Sequence, residues 1–109
     1  MFDPMKIAFP YAKAVFQIAK EQSSFTLWQS FLHFITIVVE EPSVKLFLKN
    51  PTVSPSCKVA LLKTIYDNKF NDIFVGNFIT LVANKKRLLY LPYIFSLFEK
   101  SLFFERKEV

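Results

Sequence analysis

Apolar residues recur along the chain at helical spacing, and short polar or proline-bearing stretches divide the pattern into six segments. The first predicted helix runs from about Met5 to Gln22 and carries Ile7, Ala8, Tyr11, Ala12, Ala14, Val15, Phe16, Ile18 and Ala19. Its polar residues Lys13, Gln17 and Lys20 follow at spacings of four and three, which confines them to one narrow stripe. A helix lying on one core needs an apolar arc of about 100° or somewhat more. This one is apolar on more sides than that, so a second side must be covered, by its own bundle or by a partner.

Ser23-Ser24 breaks the pattern and offers capping hydroxyls for a second helix, about Phe25 to Glu40, with Leu27, Trp28, Phe31, Leu32, Phe34, Ile35, Val38 and Val39 as its apolar set. Glu41-Pro42-Ser43 interrupts. A short third helix, about Ser43 to Lys49, is stopped by Asn50-Pro51, because the residue before a proline is pushed out of the helical region. Ser54-Pro55 then places a capping serine before a proline whose missing N–H is harmless in the first turn. The fourth helix carries Val59, Leu61, Leu62, Ile65 and Tyr66 and ends near Asp67-Asn68. A fifth begins near Asn71-Asp72, with an apolar set from Ile73 to Ala83 and a polar stripe of Asn77, Thr80 and Asn84. It too is apolar over more than one face, and Gly76 on it would allow another backbone to approach closely. After Lys85-Lys86-Arg87, a sixth helix starts around Leu91-Pro92 and runs through Ile94, Phe95, Leu97, Phe98, Leu102 and Phe103 to a charged tail. The short connections favour antiparallel neighbours, so the expectation is an all-α, compact six-helix bundle forming a single domain over residues 1–109.

Composition sharpens this reading. The chain has 109 residues, 52% hydrophobic, with 14 Phe, which excludes the low-hydrophobicity profile of a disordered chain. With 1 Gly and no Asn-Gly or Asp-Gly pair, the tight turns of hairpins have almost no support. No secretory signal is visible in Met1 to Pro10, which carries Asp3 and Pro4. The uncharged stretch from Gln22 to Val39 contains eight polar residues, among them Ser23, Thr26, Gln29 and His33, so it reads as a helix with a polar face and not as a membrane span.

Candidate chemistry is sparse. The lone Cys57 excludes an internal disulfide and is read as a small, semi-buried apolar residue. His33 has no carboxylate or cysteine at helical spacing and is read as structural or surface. Glu40 and Glu41 point in different directions at a helix end, whereas acid and base roles need two groups that converge. One glycine cannot make a glycine-rich phosphate loop, and no ligand set for zinc is present; neither catalysis nor a cofactor or metal is expected. The net charge of +5 would suit nucleic acid if it were gathered on one face, but the basic residues are scattered. The single run, Lys85 to Arg87, closes a helix where its dipole favours cations. The phenylalanines fall on the apolar stripes, where core packing is the simpler reading than base stacking. Trp28 and Tyr11 have polar handles and suit either core or interface.

Three stretches carry a family resemblance. Pro10-Tyr11-Ala12-Lys13-Ala14-Val15-Phe16 resembles the opening of bacterial ATP synthase delta subunits and of their mitochondrial counterpart, the oligomycin-sensitivity-conferring protein. Leu48-Lys49-Asn50-Pro51-Thr52-Val53-Ser54 is similar to that family's helix end and asparagine-proline turn, and Asn77 to Pro92 is similar to its fifth helix and basic turn. Trp28 also sits where many members have it. The family often has glycine where this chain has Lys86, a departure that bears on the helix stop.

The resemblance implies a non-catalytic peripheral-stalk, or stator, subunit of the proton-translocating ATP synthase, at the cytoplasmic face of the bacterial inner membrane. Its first and fifth helices are implied to form a groove for the amino-terminal helix of an alpha subunit. The residues so assigned are Tyr11, Ala14, Val15 and Ile18 of the first helix, Phe78, Leu81, Val82 and Lys85 of the fifth, and Trp28 nearby. Members normally continue into a carboxy-terminal region that engages the stalk's b subunits, and this chain stops where that region would begin. Neither nucleic acid nor direct membrane insertion is implied. The competing readings are a small basic helical module for nucleic acid and a membrane-surface protein, and no helix has the basic face opposite an apolar one that the latter requires.

Overall fold

A computed structural model describes residues 3–107. Among them are six α-helices and no strand: α1 (Pro4–Glu21), α2 (Phe25–Glu40), α3 (Pro42–Lys49), α4 (Pro55–Tyr66), α5 (Ile73–Asn84) and α6 (Leu91–Lys107), with a 3₁₀ turn at Leu88–Tyr90 before the last. The all-α class and the number and order of helices agree with the apolar periodicity.

The starts are explained by side chains that accept from otherwise unpaired backbone N–H groups. The Asp3 carboxylate accepts from the N–H of Met5 at 3.0 Å, the Ser54 hydroxyl from that of Cys57 at 3.2 Å, and Asp72 from those of Phe74 and Val75 at 2.9 and 3.2 Å. The third helix begins one residue earlier than its serine suggests. Glu41 is the cap, accepting from the N–H of Val44 at 3.1 Å and from the Ser43 hydroxyl, and Pro42 occupies the first turn. The Ser43 hydroxyl bond, followed by the backbone bonds, holds the Glu41 carboxyl below its ordinary value.

Two helix ends use the left-handed backbone region. Ser23 has φ 51°, and the N–H of Ser24 reaches back to the carbonyl of Ala19 at 2.8 Å. Lys86 has φ 60°, and the N–H of Arg87 reaches the carbonyl of Val82 at 3.0 Å. Both are Schellman stops, in which the residue past the helix turns left-handed so that the last carbonyls find partners. Ser23 therefore closes α1 rather than merely preceding α2, and Lys86 takes the conformation that glycine adopts most readily. Pro10 lies inside α1 and removes one ladder bond, but it is exposed, so water can satisfy the carbonyl of Lys6.

The chain divides into two compact units, one joining the residues up to Thr36 with those from Tyr90 onward, the other spanning Ile37–Leu89. In the first, α1 packs along α6, burying Ala8, Ala12, Val15 and Ala19 at spacings of four, three and four. The alanines let α6 approach closely. Phe16 meets Phe25 and Phe98, Trp28 meets Phe31 edge-on, and the Gln29 amide donates to Glu99 at 2.6 Å. In the second unit α4 packs against α5, and Leu62, Tyr66, Val75, Phe78, Ile79 and Val82 are buried. Burial, followed by the adjacent Asp67 charge, pushes the Tyr66 hydroxyl above its ordinary value.

Gly76 faces open space: a methyl group built there meets nothing within 4 Å, so no backbone of the chain makes the close approach that its small size would permit. The two features give opposite substitutions with the same sign. Lys86→Gly should stabilise the chain by about 0.5–1 kcal/mol, because relief of a left-handed side chain exceeds the added freedom of the unfolded state. Gly76→Ala should add about 0.5–1 kcal/mol by restoring helix propensity. Thermal unfolding followed by circular dichroism checks both, and a lower midpoint for either would refute the corresponding account.

Candidate partner-binding surfaces

The expected contact residues of the first helix fall on two sides of it. Val15 is fully buried at 0% exposure, whereas Ala14 is exposed and Tyr11 and Ile18 are half-buried. Tyr11, Ala14 and Ile18 each precede a core residue, Ala12, Val15 or Ala19, by one position, so they form a strip about 100° around the helix from the buried one. Trp28 is 1% exposed and lies against Phe31, within the core of the first unit.

The fifth helix divides in the same way. Phe78 is 5% exposed and Val82 is fully buried, while Leu81 is 46% exposed and Lys85, its capping residue, is exposed. Phe74, Asn77, Leu81 and Lys85 follow at spacings of three, four and four and share the outward face of α5. Each of the two helices therefore buries one strip in the chain and leaves a second, partly apolar strip accessible. That is the sorting of the wide apolar arcs into core and surface.

A further surface was not anticipated. In the first unit a cavity of about 420 Å³ runs between α1 and α6, floored by Ala12, Phe16 and Leu97 and flanked by Phe9 and Phe104, each 56% exposed. Lys13, Lys100 and Glu105 stand at its edge, and Glu105 is 3.7 Å from the Lys20 ammonium. The signal for it in the sequence was Phe103-Phe104 beside the charged tail, where two successive rings cannot both face one core.

The His33 ring stacks at a tilt with Phe95, and Cys57, expected to be semi-buried, is exposed because it lies on the outward side of the first turn of α4. Among the described residues no three of His, Cys, Asp or Glu gather to hold a metal, and no helix is long and apolar enough to cross a membrane.

The model of the ATP synthase delta (OSCP) subunit family matches residues 7–109. The chain belongs to that family. Its curated relatives include the ATP synthase subunit delta of Legionella pneumophila strain Lens, 37% identical over 101 residues, and that of Carboxydothermus hydrogenoformans, 34% identical over 106 residues. The delta subunit of Acinetobacter baylyi is 33% identical over 100 residues. These alignments cover 91%, 96% and 92% of this chain but 56%, 59% and 56% of the relatives, so the chain spans little more than half their length.

The neighbours Ala14 and Val15 separate surface from core in one experiment. Ala14→Glu should keep the melting temperature within a few degrees, since exposed substitutions usually stay within about 0.5 kcal/mol. Val15→Asp should lose most of the helical signal at ambient temperature, because an unpaired buried charge costs several kcal/mol. Equal melting temperatures for the two variants would show that the α1 strips have been assigned to the wrong sides.

Proposed function

We propose that this chain is the alpha-subunit-binding part of a peripheral-stalk subunit in a proton-translocating ATP synthase, with α1 and α5 receiving the amino-terminal helix of an alpha subunit. The observation that carries the reading is the pair of accessible strips. Tyr11, Ala14 and Ile18 remain at the surface of α1, and Phe74, Leu81 and Lys85 at that of α5, after each helix has buried a separate strip. Membership of the delta subunit family supports it, and an amphipathic helix is the occupant that helical strips of this kind accept.

Ala14 sets how closely the visiting helix can lie, and Tyr11 and Ile18 supply apolar area on either side along the strip. Lys85, at the negative end of α5, is placed to meet an acidic side chain. Val15, Trp28, Phe78 and Val82 act from beneath, by fixing the backbone that presents the strips. The role is mechanical: the subunit ties the catalytic head to the stalk, so slow dissociation matters and no bond is made or broken. Contact with the stalk's b subunits is assigned to a carboxy-terminal region outside this chain, and the location to the cytoplasmic face of a bacterial inner membrane, peripherally.

Calorimetric titration with a synthetic peptide of the same organism's alpha-subunit amino terminus tests the proposal. One-to-one binding is expected, with a negative heat-capacity change and weak salt dependence. Ala14→Glu should weaken it by at least about tenfold, equivalent to about 1.4 kcal/mol. Absence of binding by a folded chain, or affinity that collapses steeply with salt as in nucleic-acid binding, would reject the reading.

A further inference from the structure

Lys49, Lys58 and Lys86 line one cavity of about 460 Å³ within the second unit. Small-molecule pockets fall in the range of about 300–1,000 Å³. Lys49 ends α3, Lys58 lies in the first turn of α4 and Lys86 follows the cap of α5, so three separate elements each contribute a lysine to one concave wall, Lys58 half-buried and the other two exposed. Ser54 adds a hydroxyl, and the buried side chains of Leu48 and Leu88 add an apolar floor. No carboxylate lines the cavity, and among the described residues none of the three lysines makes an ion pair.

Helix dipoles account for two of these charges but not the third. Lys49 and Lys86 sit at carboxy-terminal helix ends, where a cation is favoured. Lys58 stands at the opposite end of its helix, where the dipole disfavours it, and it is half-buried there. Lys86, moreover, keeps a long side chain at φ 60°, where glycine would be unstrained. Three like charges around an apolar-walled concavity focus a positive potential into it. A doubly charged anion complements that potential and the amino-terminal end of α4.

We propose that this cavity binds a small phosphate monoester, its phosphate held by Lys49, Lys58 and Lys86 and its organic body resting on Leu48 and Leu88. Every lining residue belongs to the second unit, and none is among the α1 and α5 residues assigned to the alpha-subunit contact, although Lys86 adjoins Lys85. The monoester could be a soluble metabolite or the headgroup of an acidic lipid; the charge and the apolar floor are the same for both.

The test is a titration of the 109-residue chain with phenyl phosphate at constant ionic strength, followed by backbone amide resonances. Saturable shifts are expected at Lys49, Lys58 and Lys86, with tighter binding than for inorganic phosphate. Lys58→Gln and Lys86→Gln should each weaken binding by about tenfold or more while circular dichroism stays unchanged, as for loss of one charge-assisted hydrogen bond. Sedimentation with phosphatidate vesicles assigns the source: co-sedimentation lost in the same variants supports the lipid headgroup, and its absence alongside phenyl phosphate binding supports a soluble ester. The proposal is overturned if sodium chloride reproduces the shifts, if phenol binds equally well, or if both variants bind as the parent does.

Discussion

The ring of Phe16 meets two others, Phe25 of α2 at 5.2 Å and Phe98 of α6 at 6.0 Å between centroids, so one side chain on α1 engages both other helices of its unit. Aromatic pairs of this kind add about 0.5–1.5 kcal/mol beyond the area they bury. Around Phe16 the buried side chains are apolar: among the described residues the core contains no buried polar or charged residue. Orientation within it is therefore set by shape, with small alanines on α1 facing α6 and large rings filling the space beside them. The hydrogen bond from Gln29 to Glu99 lies at the edge of this packing and joins α2 to α6. Where α1 can offer a strip to a partner follows from this: the helix is already committed on the side of Ala12, Val15 and Ala19.

Much of the architecture was legible because helix ends in this chain are written with strong side-chain signals. Ser54-Pro55 and Asp72 mark the starts of α4 and α5, and the structure shows both side chains accepting from backbone N–H groups. Less legible were ends that depend on backbone conformation alone. Ser23 looked like an entry to α2, and only its positive φ reveals it as the stop of α1. Glu41 was hidden as a cap because glutamate is not among the residues favoured there. The substitution of lysine for glycine at 86 leaves the Schellman stop intact, with the strain confined to one residue.

The candidate surfaces were harder to read, for a physical reason. On a helix whose apolar arc is wide, periodicity cannot tell which apolar residue meets the core and which meets solvent, so Ala14 and Val15 looked equivalent. Packing sorts them: Val15 lies within the strip of alanines that α6 covers, and Ala14 lies beside it. Trp28 carries a polar atom and suggested an interface, yet its large ring fills space against Phe31. The lysine-lined cavity was invisible because its charges come from positions 49, 58 and 86, which no local motif connects.

A core whose buried residues, among those described, are all aliphatic or aromatic also sets how the molecule responds to cold. Apolar burial is entropically driven near room temperature and carries a large heat-capacity change, so its contribution shrinks on cooling. The polar atoms buried with it include the Trp28 ring nitrogen and the Tyr66 and Thr36 hydroxyls, and apolar burial remains the larger part. Stability in this fold is therefore a curved function of temperature, falling on cooling below its maximum as well as on heating.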